Sequence, residues 1–533
     1  MRPDSLTGQL HRLCKELAET APGELSRVGV EAASRLDGPL LVALAGRTKA
    51  GKSTLLNALV GERVAPTDMS ECTRFVTWYR DGPEYNVTLA GEDGAATRLA
   101  FERQGGRAQI RLPEPPPRDF SEITVSLPSR RLRRVQLADT PGFDSTDAMV
   151  GARTRRLLER PEGEGLLPRV DAVVYLLRHA HSADLAFLDV FDESGVPGSP
   201  IQAVGVLSRA DELFDGGLEA MDLAARVADS LGREAQLRPL LGAVIPVGGL
   251  LAETAVTLTE QEFGWLTAVS AATAEEPGLA LLSVDRFCDS APGDLPLAAR
   301  EHLVQRFGLF GLRWSVARLA SGRVKDSAGL ASALSAVSGL DALRDVLERR
   351  FVSRARRLVC QSVMASLGAA AIRFADREPA AVAGIRGELE RIRASAHELA
   401  EIRLLDAVLT GEATLSVEEA GEVERIVGDG SPLQRLGLGE GVPIGDAQAT
   451  AAERATYWKE RAESPLLMPF ERDLLGIAAR SYEGIYSELS QARGVVARAS
   501  PRLSGRRTVR LHRGPTRVRP TRRRYWGPPG SNR

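Results

Sequence analysis

The segment Gly46-Arg47-Thr48-Lys49-Ala50-Gly51-Lys52-Ser53 constrains the fold of this chain more than any other stretch. It fits the pattern G-x-x-x-x-G-K-[ST] and lies between a short apolar run, PLLVALAG, and a helical run, KSTLLNALVG. Strand, glycine turn and helix start in that order aim backbone amides and a helix dipole at one point, which suits a phosphate. Gly46 and Gly51 let the main chain wrap a β-phosphate. Thr48, Ala50, Lys52, Ser53 and Thr54 would line the phosphates, with Lys52 bridging β and γ and Ser53 Oγ ligating Mg²⁺.

Such a junction needs a layered α/β domain, and the following residues supply one. Strand-like runs occur at FVTWY (75–79), NVTLA (86–90), ITVSL (123–127), VQLAD (135–139), VDAVVYLL (170–177), IQAVGVL (201–207) and GAVIPV (242–247). Helical patterns at 182–193 and 218–231 separate the later ones, so the sheet is expected to be mostly parallel. Asp81-Gly82-Pro83 reads as the turn of a hairpin giving one antiparallel edge strand, and Arg103 to Arg118 as a surface loop. Before this domain, residues 5–36 form two helical patterns broken at Ala21-Pro22-Gly23. After about residue 296 strand signals vanish. Segments 297–322, 328–375, 377–409, 416–427 and 449–498 carry helical spacing, such as the stripe Leu340, Leu343, Leu347, Phe351 and Leu358, with a Gly-rich loop at 428–445. The chain thus divides into N-terminal helices (1–36), a nucleotide-binding α/β domain (37–295), an elongated helical bundle (296–498) and a basic tail (499–533).

Further motifs specify the nucleotide. Asp139-Thr140-Pro141-Gly142 ends the strand VQLAD and fits D-x-x-G, where Asp139 holds Mg²⁺ through water and the Gly142 amide meets the γ-phosphate. After the strand ending at 207, Ser208-Arg209-Ala210-Asp211 resembles [NT]-K-x-D. Asp211 would accept from guanine N1–H and the 2-amino group, which adenine lacks, while the Arg209 stem covers the base. Thr73, just before FVTWY, is the candidate switch threonine for Mg²⁺ and γ-phosphate; Thr67 is the alternative. The last nucleotide loop is placed at Val247-Gly248-Gly249, whose amides would face guanine O6. Phe143 follows Gly142 where many small GTPases carry a water-orienting Gln, so other groups must place the water. Lys49 is either a solvent-exposed loop residue or a cation that neutralises transition-state charge in cis.

Composition removes other classes. The longest apolar run, Leu240–Ala252, has thirteen residues and contains Pro246, short of the ~20 a span requires. No secretory signal opens the sequence, and Cys14, Cys72, Cys288 and Cys360 are far apart, which implies a reducing cytoplasm and no structural metal. The net charge of −1 conceals a tail with eleven Arg and no acidic residue in 501–533. That tail is either a solvated end or a contact for an anionic membrane, with Arg522-Arg523-Arg524 beside Tyr525-Trp526. Nucleic acid is disfavoured: the only late G-x-x-G, Gly527-Pro528-Pro529-Gly530, cannot form the helix junction of an RNA-binding module.

With GRTKAGKSTLLNALVG, ECTRFVTWY, LADTPGFDS and LSRADEL in that order, the chain resembles the dynamin superfamily, in particular the isoniazid-inducible bacterial dynamin-like proteins. RFGLFGLRWSVARL (306–319), SGLDALRDVLERRF (338–351) and ARSYEGIYSEL (479–489) extend the likeness beyond the nucleotide domain. The resemblance implies GTP hydrolysis to GDP, self-association through GTPase heads as a homo-oligomer or with a paralogue, and a helical neck and stalk into which residues 5–36 pack. It also implies remodelling or tethering of membrane, and so a peripheral place at the inner face of the plasma membrane, with the division septum as one candidate. Guanylate-binding relatives carry an arginine finger where Lys49 stands. A transmembrane span, a lipid-binding β-domain and an evident apolar paddle are missing from the sequence, which leaves the Arg tail, a stalk tip or a membrane-bound partner as the contact. The alternatives are a GTP-dependent scaffold without mechanical action and an Era-type RNA-associated GTPase.

Overall fold

A computed structural model describes residues 5–65, 75–91, 96–104, 107–111, 120–141, 170–178, 201–273, 280–290 and 292–499. Two antiparallel helices come first, α1 (Leu6–Thr20) and α2 (Gly23–Leu36). Ser5 caps α1 by accepting from the Gly8 amide, and Ala21-Pro22 ends it in extended backbone. Gly29 of α2 lies so close to α1 that a Cβ there would meet the Ala18 nitrogen at 2.6 Å.

A sheet of ten strands follows: β1 (Leu40–Gly46), β2 (Val76–Asp81), β3 (Asn86–Gly91), β4 (Ala96–Gln104), β5 (Arg107–Arg111), β6 (Phe120–Leu127), β7 (Val135–Asp139), β8 (Ala172–Leu177), β9 (Ala203–Ser208) and β10 (Val244–Val247). Their order is β10-β9-β8-β1-β7-β2-β6-β3-β4-β5. From β10 to β7 all neighbours are parallel; beyond β7 the sheet is largely antiparallel, with β2 and β6 the parallel exception. Successive residues of β1 serve opposite faces. Val42 and Leu44 join the core that contains Val174 and Leu176 of β8, while Ala43 and Ala45 join the one with Val173 and Tyr175. Burial on both faces explains why these strands read as unbroken apolar runs.

Two expectations for the sheet need correction. β2 and β3 do not form a hairpin, because β6 lies between them, parallel to β2 and antiparallel to β3. Within the expected loop Arg103 to Arg118, Arg103 and Gln104 close β4 and Arg107–Arg111 form β5, which extend the antiparallel edge. The predicted helix at 182–193 lies outside the described residues.

Helices cover both faces. After β1 come α3 (Lys52–Val60), α4 (Ala220–Leu231), α5 (Gly249–Thr257), α6 (Glu260–Ala272), α7 (Val284–Asp289), α8 (Leu297–Ala320) and α9 (Ser327–Val337). The bundle comprises α10 (Leu340–Arg350), α11 (Ala355–Arg373), α12 (Pro379–Ser395), α13 (His397–Thr410), α14 (Val417–Ile426), α15 (Pro432–Arg435), α16 (Ile444–Ala462) and α17 (Pro469–Ala499). The long helices expected over 328–375 and 377–409 are each broken. Gly339 turns left-handed at φ 80° between α9 and α10, Phe351–Arg354 forms a tight turn before α11, and Ala396 is extended between α12 and α13. The expected loop at 428–445 contains α15. A division at 296 would cut a continuous core, since Leu303, Phe307 and Phe310 of α8 and Leu330 and Leu334 of α9 are buried with Val173 and Leu207 of the sheet.

The N-terminal helices do join the bundle. α2 packs on α11, with Arg373 paired to Glu24 at 3.6 Å, and the Leu6 amide donates to Glu398 at 3.1 Å. Within the bundle, Glu401 is buried between Arg357 (2.6 Å) and Arg435 (3.0 Å). α16 and α17 form an antiparallel hairpin whose turn exposes Leu466, Met468 and Phe470.

Candidate nucleotide site

The site is built at the carboxyl ends of β1, β7 and β9. Gly46 ends β1 at φ 147°, and a Cβ there would meet the Leu176 carbonyl at 2.6 Å, so only glycine fits. Gly51 is also left-handed, at φ 93°, and opens α3. Lys52 folds back into the loop, donating from Nζ to the Gly46 and Arg47 carbonyls at 3.0 Å each. Arg47, Thr48 and Lys49 are exposed at the mouth, while Ala50 is buried.

The register of β1 and β7 sets Asp139 beside Leu44, and Ser53 Oγ donates to Asp139 Oδ2 at 2.5 Å. Thr140 next to it donates to the Leu44 carbonyl at 2.8 Å. Burial pushes the Asp139 carboxyl up, against Lys52 and the Ser53 hydrogen bond, which pull it down. Its Oδ1 is buried with no hydrogen-bond partner among the described residues. A hydroxyl and an underserved carboxylate in contact are the donor set a hard cation accepts, so these residues fit Mg²⁺.

On the other side of β1, Ser208 ends β9 and donates to the Leu177 carbonyl at 3.2 Å. Arg209 is left-handed at φ 53°; its guanidinium reaches the Lys49 carbonyl at 3.2 Å and Glu212 at 3.2 Å, tying this loop to the phosphate loop. Asp211 is buried, and burial raises its carboxyl to about 6. Gly248, after β10, lies against it: a Cβ at 248 would meet Asp211 Oδ1 at 2.8 Å. The Gly248 amide donates to the Ser338 carbonyl at 3.0 Å. It is therefore committed to the root of the bundle, and contact with guanine O6 cannot be its part in this arrangement.

Thr67, Thr73, Gly142, Phe143 and the tail lie outside the described residues. The structure brings Gly46–Thr54, Asp139, Ser208, Arg209, Asp211 and Gly248 to one edge.

It also shows supports that the motifs did not announce. Asn57 Oδ1 accepts from the amides of Val64 and Ala65 at 2.9 and 2.7 Å, and its Nδ2 donates to buried Glu253 at 3.2 Å. Glu253 in turn pairs with Arg63 at 2.6 Å and lies 3.6 Å from Arg306. Arg306 donates to Glu262 at 2.7 Å, which holds that carboxyl down to about 2 despite its desolvation. The chain thus enters residues 66–74 from an anchored base. One polar Asn among the apolar residues of LLNALV was the only sequence signal.

A glycine loop opening α3, an acidic strand end at Asp139 and a buried Asp after β9, gathered at one edge of a mixed sheet, are the arrangement of a P-loop GTPase. A model of the Dynamin family matches residues 42–162. The isoniazid-induced protein IniC of Mycobacterium tuberculosis is 39% identical over 477 residues, covering 88% of this chain and 94% of that protein. A bacterial dynamin-like protein of Nostoc punctiforme is 33% identical over 114 residues, 19% of this chain and 16% of that one. The solved structure of an oligomerised bacterial dynamin pair aligns over 93% of this chain and 92% of that chain, at 12% identity and a TM-score of 0.31, too loose a likeness to carry an argument. The chain belongs to the bacterial dynamin-like family, and it is a GTPase.

Proposed function

We propose that this GTPase binds GTP with Mg²⁺ at the described edge, hydrolyses it to GDP and couples turnover to self-association and to tethering or remodelling of membrane. The observation that carries the nucleotide reading is the gathering of Lys52, the Ser53–Asp139 pair and Asp211 at the carboxyl ends of β1, β7 and β9 along one edge of the sheet. In this reading Gly46, Thr48, Ala50, Gly51 and Thr54 supply the backbone cradle, Lys52 leaves its two carbonyls for the β- and γ-phosphates, and Ser53 and Asp139 hold the ion. Bound Mg²⁺ would neutralise phosphate charge and orient the γ-phosphoryl group. Thr73 or Thr67 completes the metal shell, and Gly142 meets the γ-phosphate. Ser208 and Arg209 shape the base pocket, Asp211 reads guanine, and Gly248 allows the close approach to Asp211. Lys49, exposed beside the phosphates, supplies positive charge to the transition state.

Two features support contact with membrane: the basic tail, and the exposed Leu466, Met468 and Phe470 in the α16–α17 turn. Among the described residues no helix is long and apolar enough to cross a bilayer, so peripheral binding at the inner face of the plasma membrane, alone or with a dynamin-like paralogue, is the form proposed. The test is GTP hydrolysis with Mg²⁺ across protein concentrations, with and without anionic liposomes. Specific activity that rises with protein concentration and with vesicles supports a mechanical dynamin. Activity independent of both leaves a scaffold switch, and no hydrolysis in folded protein overturns the reading.

A further inference from the structure

Among the described residues five that are not glycine adopt left-handed backbone: Lys49, Arg209, Phe214, Asp215 and Asp294. Three of them fall in the loop after β9 that carries Asp211, and Phe214, Asp215 and Gly216 are left-handed in succession, at φ 53°, 58° and 60°. Side chains avoid this region, so such a run persists only where its surroundings fix it. The loop's own backbone closes tight 3-10 turns over Ala210–Gly216, with Glu212 donating to Arg209 at 3.0 Å and Gly217 to Phe214 at 3.3 Å.

The carbonyls of Asp215 and Gly216 accept from one side chain, Arg313 of α8, through Nη1 at 2.9 and 2.8 Å. The same guanidinium donates from Nε to the Leu281 carbonyl and from Nη2 to the Leu282 carbonyl, each at 2.8 Å. Four main-chain acceptors around one planar fork is a geometry that an ammonium cannot reproduce. α8 reaches the loop because it is broken at Gly308 (φ 62°, ψ 179°). A Cβ at 308 would stand 3.8 Å from Asp211 Oδ2, and one at Gly216 would stand 3.4 Å from the Phe310 nitrogen. The break of α8 therefore sits at Asp211, and the part of the helix after it meets the loop's far end.

We propose that Arg313 is a positioning residue for base selection: it holds the left-handed run 214–216 and thereby fixes where the Asp211 carboxylate meets guanine. The proposal rests on Asp211 being the group that reads the base. Arg313 touches no nucleotide in this scheme; it acts through the loop.

The experiment compares GTP with ITP, which lacks the 2-amino group, as substrates of full-length protein with Mg²⁺, for the unaltered chain and for Arg313→Gln, Arg313→Lys and Asp211→Ala. A displaced carboxylate loses its contact with the 2-amino group, so Arg313→Gln should cut the GTP-over-ITP preference in kcat/KM about tenfold, mainly through the KM for GTP, with kcat within about twofold. Arg313→Lys should shift the same way by less, and it decides the matter should the Gln variant not fold. A general loss of structure would lower both nucleotides alike and leave the ratio unmoved. If Asp211→Ala collapses the preference while the folded Arg313 variants keep it, the positioning role is overturned alone. If Asp211→Ala also keeps it, the underlying reading of the base site is wrong and the proposal falls with it.

Discussion

Burial raises the Asp211 carboxyl to about 6 because desolvation outweighs its own backbone amide and the Arg209 charge, both of which pull it down. In the unfolded chain the same group titrates near 3.8. Between these values the folded, nucleotide-free state keeps the extra proton, so its stability falls as pH rises from about 4 to about 6, by up to about 3 kcal/mol, and is level above. Guanine needs the ionised form, and GTP affinity therefore runs the other way. It should drop about tenfold per pH unit below 6, as read by titration of a fluorescent GTP analogue; a flat profile from pH 5 to 7 would show that the base does not meet Asp211. Lys52 poses a simpler case. Its ammonium already occupies the phosphate loop, on the Gly46 and Arg47 carbonyls. Lys52→Ala should lower GTP affinity at least about 100-fold while the melting temperature moves little, and calorimetry with retained tight binding would place the phosphates elsewhere.

Two glycines join elements rather than end them. Gly248 has ordinary backbone (φ −82°), and what its Cβ would strike is the whole Asp211 side chain, Oδ1 at 2.8 Å, Cγ at 3.0 Å and Cβ at 3.1 Å. Gly248→Ala should therefore raise the KM for GTP without much change in thermal stability. Gly339 is left-handed, and a Cβ there would lie 2.1 Å from the Pro246 carbonyl, a backbone atom that cannot yield. Gly339→Ala should destabilise the fold by at least about 2 kcal/mol, measured as the midpoint of chemical unfolding. The same contrast shows what the sequence could say. Motifs that recur because phosphate chemistry is fixed, such as Gly46–Ser53 and Asp139, were legible, as were strands buried on both faces. Pairing partners were not, because local pattern gives a strand's existence and not its neighbour: β6 between β2 and β3 is a long-range fact. Nor was the break of α8 at Gly308 legible, because a glycine within helical spacing is read as tolerated until a neighbour such as Asp211 shows why it must turn.

Across the whole molecule, the bundle is fastened by buried charge as well as by leucine. Glu401 bridges Arg357 and Arg435, and removing one side of such a group strands the others in low dielectric. Glu401→Gln should cost about 3 kcal/mol in chemical denaturation and leave the affinity for GTP unchanged. Membrane contact can be apportioned by co-sedimentation with anionic vesicles, comparing the full chain, a chain ending at Ser500, and Leu466→Asp with Met468→Asp. Loss only on truncation assigns the Arg tail, loss only with the two aspartates assigns the helical turn, and binding that survives both excludes each as the anchor. The path of the polypeptide sets a further condition. The sheet and its covering helices are an insertion between α2 and α10, so the chain passes between sheet and bundle twice, at Asp37–Pro39 and at Ser338–Gly339. Near the first passage Arg35 is clasped by Asp171 at the foot of β8, and at the second Gly339 is wedged under Pro246. Between the two crossings Leu340, Leu343 and Leu358 share one buried core with Val42, Leu44 and Leu56, so any turn of the bundle against the sheet has to slide that packing as well as strain both crossings.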